Sequence, residues 1–271
     1  MRTVLTIAGS DSGGGAGVQA DLKAFARCGV HGASAITAIT AQNTVAVSAI
    51  HPIPAEIILA QVRAVVEDIR VDAVKVGMLG TAAGTLAVAR ALDELPAGTP
   101  VVVDPVMVAE SGARLLDDDA QSALIAEILP RATVLTPNLP EARVLAGRTP
   151  DADAAEAQEA EALARAVLAL GPSVVVLTGG HRALAVDLFL DAQDGPIVEI
   201  AGVRHPDGAA HGSGCTHSSL LAAQLALGFT PLQAARTARS LAGEAIRNGL
   251  REIGAGAGPV DVLGLERMRS L

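Results

Sequence analysis

Six short apolar segments recur along the chain, and a loop of glycine and polar residues follows each of them. The segments are residues 3–8, 33–40, 73–77, 101–104, 133–136 and 173–178. They are rich in β-branched residues and apolar nearly throughout, which is typical of parallel strands buried on both faces of a sheet. Amphipathic helices are predicted around them, at residues 18–27, 55–69, 83–95, 119–129, 154–170, 214–227 and 231–250. This alternation predicts a doubly wound α/β fold with a mostly parallel sheet and helices on both faces.

Two further strand-like segments, residues 183–190 and 196–203, flank the loop Asp191-Ala192-Gln193-Asp194-Gly195. A short polar loop between such segments predicts a β-hairpin, which would form a small antiparallel edge. The sequence contains no internal repeat and no low-complexity linker, and half of its residues are hydrophobic. We therefore interpret residues 1–271 as one domain with a single large core.

The net charge of −9 argues against a nucleic-acid partner, because binding to a phosphate backbone needs a basic surface. No apolar run reaches the ~18 residues that a membrane helix needs. The first residues lack the length and cleavage region of a signal peptide. The two cysteines, Cys28 and Cys215, are far apart in sequence and suggest no disulfide framework. We expect a cytoplasmic protein with neither nucleic acid nor membrane as its partner.

The loops after the six strands are candidates for a shared binding site. Ligands of open parallel sheets bind outside the carboxyl ends of the strands. Those loops are residues 9–17, 42–44, 77–79, 104–107, 137–141 and 178–181. Each alone is compatible with ordinary turn chemistry, which also favours Gly, Pro, Asn and Asp. Six such loops at one edge of the sheet predict a common site.

The first loop matches the dinucleotide pattern G-x-G-x-x-A over residues 15–20. That pattern needs an acidic residue at the end of the second strand, where this chain has Thr40-Ala41-Gln42. The phosphate loop of nucleoside triphosphatases is excluded as well, because no lysine follows the glycines. We predict that this loop closes over a neutral substrate. An NAD-dependent oxidoreductase remains the alternative from another class.

Residues 210–219 open a second candidate site, because small residues there begin an apolar helix. Backbone N–H groups at such a helix start are free to bind an anion, and the helix dipole adds to the effect. The alternative is a helix cap supplied by Ser213, with Cys215 as a small buried residue. His211, Cys215 and His217 fit no structural zinc spacing.

Asp104 and Glu141 are the candidate Mg²⁺ ligands, because each follows a predicted strand. Mg²⁺ takes one or two carboxylates and completes its shell with water and nucleotide phosphates. The alternatives are a turn residue before proline for Asp104 and a first-turn helix residue for Glu141.

Taken in order, these motifs resemble the hydroxymethylpyrimidine/phosphomethylpyrimidine kinases, ribokinase-like enzymes of thiamine biosynthesis. The segments that carry the resemblance are Thr6-Ile7-Ala8-Gly9-Ser10-Asp11, Gly14-Gly15-Ala16-Gly17-Val18-Gln19-Ala20-Asp21, Ala41-Gln42-Asn43-Thr44, Lys75-Val76-Gly77-Met78-Leu79, Asp104-Pro105-Val106-Met107, Thr136-Pro137-Asn138-Leu139-Pro140-Glu141 and His211-Gly212-Ser213-Gly214-Cys215-Thr216. Single segments are shared with pyridoxal kinases, which remain the nearest alternative.

The resemblance implies ATP as co-substrate, Mg²⁺ as cofactor and a pyrimidine alcohol as substrate, bound by Gln42 in a pocket lined by Gly9, Asp21 and Met78. It implies an anion hole for the transferred phosphoryl group at Gly212, Ser213 and Gly214. It also implies magnesium and phosphate contacts at Asp104, Asn138 and Glu141, ATP contacts at Thr178 and Gly180, and a homodimer.

Cys215 stands where sugar kinases of the superfamily have a catalytic aspartate, according to the same resemblance. Its position at a helix start predicts a thiol pKa below the usual ~8.5 and therefore a base near neutral pH. Thr178 is a departure, because the family often has lysine there. A lysine there would help to offset the charge of the ATP phosphates, which threonine cannot do.

Overall fold

The computed structural model describes residues 1–108, 112, 115–149, 156–179, 185–206 and 208–265. Within them the strands are β1 (Thr3–Asp11), β2 (His31–Gln42), β3 (Val47–Pro52), β4 (Ala73–Val76), β5 (Val101–Val103), β6 (Val134–Leu135), β7 (Val174–Leu177), β8 (Val186–Leu190) and β9 (Val198–Ala201). The helices are α1 (Gly17–Arg27), α2 (Ala55–Val66), α3 (Ala82–Asp93), α4 (Asp118–Ala123), α5 (Leu139–Leu145), α6 (Glu156–Leu168), α7 (Ser213–Ala226) and α8 (Pro231–Arg247).

All nine strands form one sheet in the order β3-β2-β1-β4-β5-β6-β7-β8-β9. Neighbouring strands pair in parallel through the run β2-β1-β4-β5-β6-β7. Strand β8 pairs antiparallel with β7, and β8 and β9 form the predicted antiparallel hairpin. The mostly parallel sheet with a small antiparallel edge is therefore confirmed. Residues 183 and 184 of the predicted hairpin and residues 154 and 155 of the helix predicted at 154–170 lie outside the described residues.

The opposite edge was not predicted, because β3 pairs antiparallel with β2 there. Every residue of β3 is exposed or half-buried, so the strand has no continuous apolar run. Its Ser48 and His51 break the pattern that marked the buried strands. A short, solvated edge strand leaves too weak a periodicity to be recognised in sequence.

Helices cover both faces of the sheet and enclose two cores. On one face, α1, α7 and α8 pack residues such as Phe25, Leu220 and Ala238 against the strands. On the other face, α2 to α6 do so with residues such as Ile58 and Leu163. This two-faced burial explains why the central strands are apolar throughout. No helix among the described residues is long and apolar enough to span a membrane.

Two helical segments differ from the prediction. The helix expected at 119–129 is α4, continued by a π-helical turn at Leu124–Ile128 and a 3-10 turn at Leu129–Arg131. The seven-residue helix α5 was not among the predicted helices, although a helix start at Glu141 was one of the alternatives. Its capping box is reciprocal, because the Asn138 side chain accepts from the Glu141 N–H and Glu141 accepts from the Asn138 N–H.

Candidate active site

A cavity opens at the carboxyl ends of the parallel strands, between the β1 and β4–β7 ends, the start of α7 and one face of α8. It brings together most of the residues expected in a site. These are Gly9, Gln42, Met78, Asp104, Asn138, Glu141, Thr178, Gly212, Ser213, Gly214 and Cys215. Gly180 lies outside the described residues. Side chains 200 residues apart in sequence meet here because parallel strands end at the same edge.

Asp21 does not line this cavity, so its expected contact with substrate is wrong. The residue is fully buried in α1, and its carboxylate is occupied by three side chains. Thr6 Oγ1 donates to it at 2.6 Å and Ser219 Oγ at 2.7 Å, while Lys75 Nζ lies 3.0 Å away. Asp21 therefore holds β1, β4 and α7 together beneath the site.

Lys75 is a site residue that the sequence interpretation missed. Its side chain is fully buried in β4, yet it lines the floor of the cavity. Burial alone lowers the pKa of Lys75, but Asp21 and Asp104 outweigh it and raise that pKa above its usual range. The cavity floor therefore carries a fixed positive charge. A fully apolar strand pattern around one lysine was the available signal.

Asp11 organises the glycine-rich loop that follows β1. Its carboxylate accepts N–H groups from Gly13, Gly15 and Ala16 at 2.8–3.0 Å. The pKa of Asp11 is lowered, because these bonds and the contact with His211 outweigh the effect of burial. The N–H groups that a dinucleotide pyrophosphate would need are therefore already bonded to Asp11. This removes the structural basis for the oxidoreductase alternative.

The same loop is fastened to the start of α7. His211 Nε2 lies 2.9 Å from Asp11 Oδ2, and both side chains are buried. A Cβ atom on Gly212 would lie only 1.8 Å from the Gly15 carbonyl oxygen, so the two backbones touch directly. Gly212 also has a φ of 78°, a left-handed conformation that glycine adopts without strain. The two glycine-rich motifs therefore form one packed unit.

The start of α7 has the form of an anion site. Gly212 is the N-cap and makes no side-chain cap bond, so the alternative of a Ser213 cap is wrong. Ser213 N–H donates to the Ala210 carbonyl at 3.0 Å. The N–H groups of Gly214 and Cys215 have no backbone partner among the described residues. A helix of 14 residues directs these donors and its dipole into the cavity.

Cys215 lies beside this anion site, but the predicted lowering of its thiol pKa is wrong. Burial raises the pKa of Cys215 to about 12, and Asp104 and Asp21 add to the rise, while Lys75 and the Gly17 N–H oppose it. Desolvation and the two carboxylates thus raise the thiol pKa more than the start of the helix lowers it. The thiol is protonated at neutral pH in the free protein.

Asp104 and Glu141 face the same cavity, and burial raises the pKa of both carboxyl groups. Burial raises the pKa of Asp104, with Lys75 opposing and Asp21 adding to the effect. Burial and the Asp104 charge raise the pKa of Glu141 to about 8, against the N–H bonds from Asn138 and Met107. A buried and a half-buried carboxylate that line one cavity fit a divalent cation such as Mg²⁺. Glu141 serves the α5 capping box at the same time.

The far end of the cavity is formed by Gln42, Met78 and Gly9. A Cβ on Gly9 would lie 3.0 Å from Met78 Sδ, so the missing side chain leaves room for the thioether. Gln42 Oε1 accepts from Thr40 Oγ1 at 3.2 Å. The end of β2 thus presents an amide beside a soft apolar surface, which suits a flat heteroaromatic ring.

The opposite end has further polar residues without a predicted role. His217 and Arg239 line the cavity beside Thr178, and the buried Asp187 lies behind them. No group of three or more His, Cys, Asp or Glu residues suited to a metal occurs in the part of the chain that is described. These residues come from β8, α7 and α8, so no local motif could have revealed them.

An anion-binding helix start, two carboxylates and a ring-binding end on this sheet define a small-molecule kinase of the ribokinase-like type, which is a phosphotransferase. Residues 11–261 match the family model described as phosphomethylpyrimidine kinase. The chain belongs to that family.

Curated relatives resemble the chain over nearly its whole length. The hydroxymethylpyrimidine/phosphomethylpyrimidine kinase of Rhizobium meliloti is 48% identical over 260 residues, covering 94% of this chain and 95% of the relative. The protein of the same name from Haemophilus influenzae is 47% identical over 267 residues and covers 96% of both chains.

Solved structures confirm the ribokinase-like fold. Pyridoxal kinase from Staphylococcus aureus in complex with pyridoxal has a TM-score of 0.85 at 33% identity, covering 99% of this chain and 96% of that one. Phosphomethylpyrimidine kinase from Clostridium difficile has a TM-score of 0.75 at 37% identity, covering 88% and 96%. A further structure of the Staphylococcus aureus enzyme, in complex with ADP, has a TM-score of 0.86.

Proposed function

We propose that the protein transfers the γ-phosphoryl group of ATP to the hydroxymethyl oxygen of 4-amino-5-hydroxymethyl-2-methylpyrimidine. The same site then phosphorylates the monophosphate to the diphosphate, as a step of thiamine biosynthesis. The observation that carries the proposal is one cavity with a ring-binding end at Gln42 and Met78 and an anion site at Gly214 and Cys215. The names of the curated relatives support the same substrates.

Positioning and charge stabilisation account for most of the chemistry. A loose phosphoryl-transfer transition state spreads charge over three oxygens and needs little covalent help from the protein. The free N–H groups at the start of α7 would stabilise that charge, and Lys75 would add a positive charge from the cavity floor.

Cys215 contributes to the reaction as a protonated thiol next to the acceptor oxygen. Because the alcohol keeps its proton until the phosphorus–oxygen bond is well formed, no preformed thiolate is needed. The N–H of Gly17 interacts with the sulfur and fixes its position against the glycine-rich loop. Cys215 therefore positions the hydroxyl group, and the product phosphate accepts the proton.

Asp104 and Glu141 are proposed to hold Mg²⁺ directly or through its waters. When bound, the ion neutralises phosphate charge and polarises the phosphoryl oxygens. Ser218 Oγ donates to Asp104 Oδ2 at 3.1 Å and keeps this carboxylate turned towards the start of α7. Asn138 orients Glu141 through the capping box.

Phosphorylation of pyridoxal is the second candidate function. The structural likeness to the Staphylococcus aureus pyridoxal kinase favours this function. Pyridoxal also carries a hydroxymethyl group on a six-membered heteroaromatic ring. The Gln42 end of the cavity would accept either ring.

An ADP-release assay with purified protein, ATP and Mg²⁺ tests both candidates. We expect kcat/KM for the pyrimidine alcohol to exceed that for pyridoxal and pyridoxine. Phosphorus NMR of the products should show the monophosphate first and the diphosphate later. ADP release with pyridoxal alone would replace the first proposal by the second.

A homodimer in the cytoplasm completes the proposal, and it is supported by the family resemblance. Light scattering after size-exclusion chromatography should give twice the chain mass of 27.2 kDa. A mass equal to one chain at micromolar concentration would contradict it.

A further inference from the structure

Three side chains from separate elements meet at the end of the cavity beside Thr178, and we name them the Asp187 cluster. They are Asp187 in β8, His217 in α7 and Arg239 in α8. His217 Nε2 lies 3.4 Å from Asp187 Oδ2, and Arg239 Nη1 lies 3.6 Å from Asp187 Oδ1. The Asp187 side chain has no exposed surface, and those of His217 and Arg239 are 6% and 10% exposed.

Several buried polar atoms of the cluster have no hydrogen-bond partner among the described residues. Asp187 Oδ1 accepts the Gly179 N–H at 2.7 Å, and Arg239 Nη2 donates to the Ala185 carbonyl. Among the described residues, Arg239 Nε, both ring nitrogens of His217 and Asp187 Oδ2 are buried without a hydrogen-bond partner. Buried polar groups are normally satisfied, and unsatisfied ones are costly. The donors of Arg239 and His217 therefore fit a ligand that brings acceptor atoms.

The position of the cluster narrows the kind of ligand. His217 lies four residues after Ser213, on the same face of α7, and both line the cavity. Ala242 and Ile246 follow Arg239 by three and seven residues, so the same face of α8 continues as an apolar wall. A cationic donor beside an apolar wall matches a ligand with phosphates attached to a flat base.

The charged residues that line the cavity also indicate an anionic ligand at the Asp187 cluster. Lys75 and Arg239 are the lysine and arginine residues that line it in the described part of the chain. Lys75 is bonded to Asp21, whereas no atom of Arg239 lies within hydrogen-bond distance of Asp187. Thr178 supplies a hydroxyl group and no charge at the end of β7. Arg239 is therefore the cation at the Thr178 end of the cavity that can meet an anionic ligand, while Lys75 lies on the cavity floor.

We propose that Arg239 binds the phosphate chain of the nucleotide co-substrate and supplies from α8 the positive charge that Thr178 does not supply from the end of β7. The Ala185 carbonyl and the Asp187 carboxylate, 3.6 Å from Arg239 Nη1, keep the guanidinium group at the cavity wall. An arginine suits this task because its planar fork donates two parallel hydrogen bonds to one phosphate. The inference rests on the proposed function for the identity of the co-substrate.

The first test compares Arg239→Met with the parent protein in the ADP-release assay. Loss of a hydrogen bond to a charged group predicts a KM for ATP that rises roughly 10–100-fold. The KM for the pyrimidine alcohol should stay unchanged. Arg236→Met is the matched control, because Arg236 lies on the same helix, is exposed and does not line the cavity. A parental KM for ATP in Arg239→Met would overturn the proposal.

A rescue separates nucleotide binding from a merely structural role. In the variant Thr178→Lys/Arg239→Met, an ammonium group enters the cavity from β7 and should recover most of the lost ATP affinity. If Arg239 served only to neutralise Asp187, both KM values and the melting temperature would change together. That result, or a KM for ATP not improved by Thr178→Lys, would overturn the proposal.

A second variant and a direct binding measurement complete the test of Arg239. If Arg239→Met fails to fold, Asp187→Asn/Arg239→Gln removes both charges together and leaves no uncompensated buried charge. Calorimetric titration with ADP in the absence of any alcohol should show the same 10–100-fold loss. If the parent binds ADP but releases none with the pyrimidine alcohol, the proposed function fails while the Arg239 test stands. Unchanged ADP binding in the double variant overturns the Arg239 proposal alone.

Discussion

At the scale of single residues, the site is governed by buried charge. Lys75, Asp21 and Asp104 lie together beneath the anion site. The two carboxylates outweigh burial and raise the pKa of Lys75, and Lys75 opposes the rise that burial gives to the pKa of Asp104. Cys215 shows the result, because the helix start that favours a thiolate is outweighed by desolvation and two carboxylates. A pKa at a helix start thus depends on which side chains other strands bring close to it.

Alkylation of Cys215 should be slow at neutral pH and faster in alkali. With a pKa of about 12, the reactive thiolate fraction grows about tenfold for each pH unit between 7 and 9. The measurement is the rate of iodoacetamide labelling by mass spectrometry in a Cys28→Ser background. Added pyrimidine alcohol should slow it. A rate that levels off near pH 7 would instead indicate an activated thiolate.

Glu141→Gln should raise the magnesium concentration needed for half-maximal activity by about tenfold or more. The glutamine oxygen still accepts the Asn138 N–H, so the start of α5 is preserved. The measurement is a magnesium titration of ADP release, with the KM for the pyrimidine alcohol as the internal control. Overlapping titrations of variant and parent would limit Glu141 to its capping role.

At the scale of elements, two glycine-rich motifs act as one. The loop after β1 is wound around Asp11, and the start of α7 rests on that loop through His211 and Gly212. Neither motif alone predicts this contact, because the residues involved are 200 positions apart. The anion site therefore depends on a loop that contributes none of the free N–H groups described above.

Gly212→Ala should disrupt the anion site far more than its backbone strain alone would. A Cβ there would lie 1.8 Å from the Gly15 carbonyl oxygen, and φ is 78°. Gly228→Ala is the matched control, because Gly228 has a φ of 92° and open space around it. We expect the control to lose about 1–2 kcal/mol of unfolding free energy from strain alone. Equal losses in both variants, measured by urea denaturation, would show that the loop yields easily.

Asp11→Asn should destabilise the loop. It should also make the free energy of unfolding depend less on pH in the acid range. Because the folded-state pKa of Asp11 is lowered, its stabilisation is present above the ordinary value of 3.8 and disappears as pH falls through the folded pKa. The asparagine cannot accept at both oxygens, so an unsatisfied N–H costs about 1–3 kcal/mol at pH 7. Urea denaturation from pH 3 to 7 measures the difference, which should shrink in acid. A constant difference would exclude the carboxylate charge as its cause.

At the scale of the whole molecule, the cavity runs across the sheet and has two separate ends. The ends of β1, β2 and β4 form the side with Gln42 and Met78, and β7 and α8 form the side with Thr178 and Arg239. The start of α7 lies between them, where the two proposed substrates would meet. Changes at one end should therefore leave binding at the other end intact.

Gln42→Ala should weaken binding of the pyrimidine alcohol by about 1–3 kcal/mol and leave ADP binding unchanged. The side-chain amide can both donate to and accept from the edge of a heteroaromatic ring. Calorimetric titration of each ligand separately measures both affinities in one preparation. Equal losses for the two ligands would assign Gln42 a general structural role.

Much of this architecture is readable in the sequence, because the buried strands and amphipathic helices carry strong periodic patterns. β3 was missed because its exposed residues leave no such pattern, and Asp21 was misplaced because the sequence does not show that Lys75 and Ser219 occupy its carboxylate. The thiol pKa and the Asp187 cluster were missed for a similar reason. Each depends on side chains that different elements bring together, and spacing along one segment carries no information about them.

The bond between Asp11 and His211 has a consequence for how the chain is made. A ribosome that adds about 5–20 residues per second needs roughly 10–40 s to pass from one partner to the other. During that interval the histidine that contacts the Asp11 carboxylate does not yet exist. All nine strands are synthesised in this time, but the start of α7 is not. Premature termination at residue 210 would release a chain with all nine strands and no anion site.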